Sequence, residues 1–130
     1  MSEEGEEQAK RFNLEERLLD YATAVIGLTD GMKGTTAGRH LASQLLRSAT
    51  SPLGSHGEAQ SAESTKDFIH KLSMALKELR ESFRWLKLIG RVRLHDDANE
   101  VGHLLDETGQ LIRIFNASIH TAQKRLPQKP

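Results

Sequence analysis

Between positions 66 and 89 an apolar side chain recurs every three or four residues, at Phe68, Leu72, Ala75, Leu76, Leu79, Phe83 and Leu86. At about 100° per residue these fall within one arc, so the segment is a long amphipathic helix with its stripe facing a core. Thr65 caps it and Gly90 closes it. The rest of the chain repeats the pattern. Asn13 caps a helix over 14–29, with Leu14, Leu18, Tyr21, Ala22, Val25 and Leu28 on one side, and Asp30, Gly31 and Gly34 end it. Thr35 or Thr36 starts a second helix with Leu41, Leu45, Leu46, Ala49 and Leu53, bent near Pro52, where the Ser48 carbonyl loses its donor. The small, polar stretch 54–64 reads as a connection. A fourth helix spans 98–125 and carries Val101, Leu105, Ile112, Phe115, Ile119 and Ala122. No segment has the period of two that a strand requires. Four helices with short connections predict an all-α, antiparallel up-down four-helix bundle over 13–126, between an acidic flexible tail at 1–12 and a frayed end at 127–130.

Composition narrows the function. The chain has 130 residues, enough for one modest core, and no cysteine, which excludes disulfides, thiolate metal sites and cysteine nucleophiles and fits a reducing cytoplasm. No apolar run is long enough for a signal peptide or a membrane span. With 18 basic and 18 acidic residues the net charge is zero, so any attraction to nucleic acid has to come from a local patch.

Two outer strips of the third helix stand apart from its core stripe. Met74, Trp85 and Leu88 lie on the far side with His70 and Glu81, an apolar group holding the chain's one Trp where a single bundle has no second core, which marks an oligomer or partner interface unless Trp85 lies flat under the acidic tail or the connection after Gly90. Between the two faces run Lys66, Lys77, Arg80, Arg84, Lys87 and Arg91. Such a strip either tracks a phosphate backbone or forms a solvated face paired with neighbouring acids; without interleaved aromatics it has no means of stacking bases.

Chemistry is poorly represented. Glu100 and His103 form one Glu-x-x-His half-motif, whereas a di-iron bundle needs two halves and two further glutamates, and Val101, not Glu100, lies on the core arc. The other histidines, His40, His56, His70, His95 and His120, sit on different elements, so no metal site is expected. Gly31, Gly34 and Gly38 lack the lysine and the preceding strand of a phosphate loop. Ser55 beside His56 lacks the elbow of a hydrolase. No catalytic residue, cofactor or small-molecule substrate is expected.

The segment Gln44, Arg47, Ser48, Ala49 and Ser51, followed by Glu58, then by Lys66-Asp67-Phe68-Ile69, Leu72-Ser73-Met74-Ala75 and Glu78-Leu79, resembles the four-helix bundle proteins encoded in intervening sequences of bacterial 23S rRNA genes. The resemblance covers about two thirds of the chain. It implies a bundle that assembles into a ring-shaped homopentamer, with no established chemistry. A similar fold, the accessory protein of diversity-generating retroelements, implies nucleic-acid binding through a basic surface, here Lys77, Arg80, Arg84, Lys87 and Arg91. The polar residues matching the family pattern are Arg47, Ser51 and Glu58, expected to satisfy carbonyls freed at the bend or to form a small polar site there. The chain departs from the pattern at Ser55, where Asn is usual, at Ala59, where Gly is usual, and in the position of Pro52. The reading at this point is a non-enzymatic, self-assembling scaffold or binding module whose partner is itself, with RNA or DNA binding as the alternative.

Overall fold

The structure, a computed structural model, describes the backbone of residues 3–127 and the side chains of residues 14–127. Four helices follow one another: α1 (Glu3–Asp30), α2 (Thr36–Gln60), α3 (Thr65–Arg91) and α4 (Ala98–Gln123). Consecutive helices pack side by side and α1 closes on α4, so α1 and α3 stand diagonally opposed. The four-helix fold follows the apolar periodicity: Leu18, Val25 and Leu28 of α1, Leu45 of α2, Leu79 and Leu86 of α3, and Leu111 and Phe115 of α4 are all buried.

The helix ends depart from the sequence reading at several points. α1 begins at Glu3 rather than near Leu14. Its first turns hold four glutamates, favoured at the positive end of a helix dipole, followed by good helix formers. The acidic tail expected at 1–12 falls on side chains outside the described residues, as does the frayed end beyond Pro127. α2 does not stop at Leu53 but continues through Pro52 to Gln60. Ala49, Pro52, His56 and Ala59 carry its buried stripe onward at spacings of three and four, and the expected connection shrinks to residues 61–64. Gly90 does not close α3. The helix ends one residue later, with Val92 as its C-cap and Arg93 at φ 54°, in the left-handed region. The Leu94 amide donates to the Ile89 carbonyl at 3.1 Å, and both side chains are buried, which is a Schellman closure with Arg93 in the place glycine usually takes.

Side-chain caps fix the other starts. Thr35 Oγ1 accepts from the Gly38 amide, Ser64 Oγ from Asp67, and Asp97 Oδ1 from Glu100, so the α3 cap is Ser64 rather than Thr65. At the end where α1 meets α2, the Lys33 amide donates to the Leu94 carbonyl at 2.9 Å, tying the α1–α2 loop to the α3–α4 loop. That loop lies directly over Gly38, where an added Cβ would come within 1.9 Å of the Lys33 carbonyl oxygen.

Candidate functional site

A layer of hydroxyls crosses the core. Tyr21 of α1 shares a hydrogen bond of 2.7 Å with Thr108 of α4, and Ser48 of α2 shares one of 2.8 Å with Ser82 of α3. Thr108 also donates to the Leu104 carbonyl, which leaves its oxygen to accept from the phenol. Burial pushes the Tyr21 hydroxyl up to about 12, against the opposing pull of Thr108 and Ser82. Each of the four buried groups comes from a different helix, so the layer indexes all four to one height. Ser48, Ser82 and Thr108 hold core positions of their helical stripes but are polar, so apolar periodicity does not pick them out.

This layer shifts the buried arc of α3. Ser82 and Ile89 are fully buried, on the side that meets α2, so the arc lies about 20° round from the one drawn through Phe83. Two placements change as a result. Phe83, expected in the core, is half-buried with the Lys87 ammonium 5.5 Å from its ring centroid. Trp85, expected on the exposed far face, is half-buried and packs against the core, with its indole N–H buried and lacking a hydrogen-bond partner. Met74 and Leu88 are exposed as expected, joined by Val92. Leu46 of α2, expected on the apolar face of its helix, is exposed instead, about 100° round from Leu45, and Leu19 and Ile26 of α1 are the other large exposed apolar side chains.

Lys66, Lys77, Arg80, Arg84, Lys87 and Arg91 are all exposed on α3, and none forms an ion pair with the described residues. Lys77, Arg80 and Arg84 line a shallow groove of about 440 Å³, completed by Ser73, Leu76 and, from α4, Asn116 and Ile119.

The motif residues do not converge. Arg47 is exposed and reaches across to α3, pairing with Glu78 at 3.3 Å and Glu81 at 2.9 Å. Ser51 donates to the Arg47 carbonyl at 2.7 Å, and Glu58 pairs with Lys71 of α3 at 3.2 Å. Arg47 and Glu58 stand about 16 Å apart along the helix axis. They clasp α2 to α3 rather than filling the carbonyls near Pro52, because the Arg47 guanidinium finds two carboxylates within reach.

His56 is buried, set edge-on to Phe115 at 6.1 Å, and its Nδ1 has no partner. Burial lowers its pKa, opposed by the negative charge of Glu15. It lines a cavity of about 700 Å³ with Leu14, Phe68, Phe115 and Arg125, at the end of the bundle opposite the tied loops. Val101 is buried and His103 exposed, in keeping with the reading of the Glu-x-x-His half-motif. Among the described residues no group of three His, Asp or Glu side chains stands ready to hold a metal ion. None of the helices described is long and apolar enough to cross a membrane.

A family model described as 23S rRNA-intervening sequence protein matches residues 10–117, nearly the whole bundle. The chain belongs to the 23S rRNA-intervening sequence protein family. A solved structure from Bacteroides thetaiotaomicron VPI-5482, described as a protein of unknown function from the S23 ribosomal protein family, is similar to this intervening-sequence protein with a TM-score of 0.77 and 26% identity. The match covers 85% of this chain and 98% of that one. No curated protein matches. In this intervening-sequence protein Ala59, standing where the family pattern has glycine, is buried in the core, and Ser55 is half-buried.

Proposed function

We propose that this protein is a non-catalytic bundle that assembles with copies of itself into a ring-shaped homo-oligomer and serves in the cytoplasm as a scaffold or binding module. The observation that carries the reading is the pair of exposed apolar groups, Leu19, Ile26 and Leu46 on α1 and α2 and Met74, Leu88 and Val92 on α3, left over after one core has been filled. The homopentamers implied by the family resemblance support a ring. The non-catalytic reading rests on the scatter of the polar groups: Arg47 and Glu58 point to separate partners, and His56 stands among apolar side chains with no second titratable group hydrogen-bonded to it. The test is solution mass by light scattering at low and high salt, with the absorbance ratio at 260 and 280 nm on the same peak. A salt-resistant oligomer free of nucleic acid supports the reading, and a monomer overturns it.

A second reading rests on the basic strip of α3, unpaired among the described residues, namely binding of RNA or DNA by Lys77, Arg80, Arg84, Lys87 and Arg91. Binding of this kind falls steeply with salt, with a slope set by the number of phosphates neutralised. Changing Arg80, Arg84 and Lys87 to Glu would abolish it.

A further inference from the structure

The neutral chain separates its charge. On the described part of α1 the exposed charged side chains are Glu15, Glu16, Asp20 and Asp30, all acidic. On the opposite corner of the bundle α3 exposes Lys77, Arg80, Arg84, Lys87 and Arg91. Arg80 and Arg84, and Lys87 and Arg91, are like charges four residues apart, an arrangement that costs an isolated helix a few tenths of a kcal/mol per pair. α1 and α3 stand on diagonal corners and no ion pair joins them among the described residues, so the acids of one do not neutralise the bases of the other within a single chain. Each charged face also carries exposed apolar residues aligned along its helix, Leu19 and Ile26 seven residues apart on α1, and Met74 and Leu88 fourteen apart on α3, with Glu81 between them held by Arg47. A seven-residue line is the geometry by which one helix packs along another at a shallow angle.

We infer that the apolar face of α1 and α2 in one copy, acidic along α1, docks on the basic, apolar face of α3 in the next, head to tail. Leu19, Ile26 and Leu46 meet Met74 and Leu88, while Glu16 and Asp20 meet Lys77 and Arg84. The inference rests on the self-assembly reading and specifies which surfaces make the contact. Because the two faces differ, the contact is heterologous: each copy offers one donor and one acceptor surface, and closure yields a ring. Occupied in this way, the basic strip of α3 is consumed by assembly and is not free to follow a phosphate backbone.

The test uses two variants with substitutions at exposed positions. One, Leu19→Lys with Ile26→Lys, spoils the α1–α2 face; the other, Met74→Glu with Leu88→Glu, spoils the α3 face. Each alone is expected to be a folded monomer by circular dichroism and light scattering. Mixed, they are expected to form a 1:1 dimer of twice the monomer mass, through the one intact face that each retains. A charge-only set guards against misfolding: Glu16→Lys with Asp20→Lys should weaken assembly on the order of tenfold, and adding Lys77→Glu and Arg84→Glu to the same chain should restore it. A monomeric wild type overturns the self-assembly reading itself. An oligomeric wild type overturns the face pairing alone if either variant stays oligomeric, if the mixture stays monomeric, or if nuclease treatment dissolves the assembly, the last pointing to nucleic acid as the occupant of the α3 strip.

Discussion

The Tyr21 phenol and the Thr108 hydroxyl meet at 2.7 Å between α1 and α4 with no water-exposed surface on Thr108. Tyr21→Phe removes the proton that Thr108 accepts but leaves Thr108 donating to the Leu104 carbonyl, so the cost should be near 1 kcal/mol. Thr108→Val strands the phenol beside an apolar group and should cost more, about 2 kcal/mol. Urea denaturation of the two variants gives the ordering directly.

Arg93 occupies a backbone region that costs an L-residue about 1 kcal/mol and that glycine enters freely. Arg93→Gly should therefore stabilise the protein by up to about that amount and raise its melting temperature by a few degrees. A drop in melting temperature would show that the arginine side chain has a compensating role in this loop.

Those two positions mark what the sequence discloses and what it hides. The apolar periods of Leu18, Leu45, Leu79 and Leu111 show which faces turn inward, and hence the bundle. Pro52 and the glycines that follow read as a break, yet His56 and Ala59 carry the stripe past them, because packing overrides local propensity where the face is buried. A serine or threonine at a core position gives no hint in one dimension of whether another hydroxyl stands opposite. The hydroxyl layer and the rotation of α3 that follows from it were therefore out of reach, and with them the placements of Phe83 and Trp85. Leu19 and Ile26 lie off the apolar stripe of α1, and only the packing of the four helices leaves them exposed together on one corner of the bundle.

Trp85 packs on the core while its indole N–H goes unpaired. Trp85→Ala should lose about 2 kcal/mol of stability, less than full burial would give, because the side chain is half-buried. Trp85→Phe keeps much of the apolar contact and removes the stranded donor, so it should cost clearly less. Thermal melts of both variants, with mass recorded alongside, separate a stability effect from an effect on assembly.

Leu79 has no exposed surface, and Leu79→Asp would bury a carboxylate without a partner. Loss of helicity at room temperature is expected, whereas the exposed Met74→Asp should leave the circular dichroism spectrum unchanged.

His56 is held neutral by burial, with its pKa below that of the unfolded chain. The unfolded state therefore binds more protons as pH falls through the ordinary histidine range, and stability should decline from its value above about pH 6.5 as the pH is lowered. Glu15 opposes the shift, so Glu15→Gln should steepen the decline. His56→Phe should flatten it, as read from denaturation midpoints at pH 7.5 and 5.5.

The tie between the Lys33 amide and the Leu94 carbonyl gives the bundle two unequal poles. At one pole two loops share a backbone bond above a glycine that admits no side chain; at the other, a 700 Å³ hollow lies beside an unpartnered imidazole. Local opening should begin at the hollow pole and travel towards the tied one, so amide protons near Leu28, Leu41 and Ile89 would be the last to exchange with solvent.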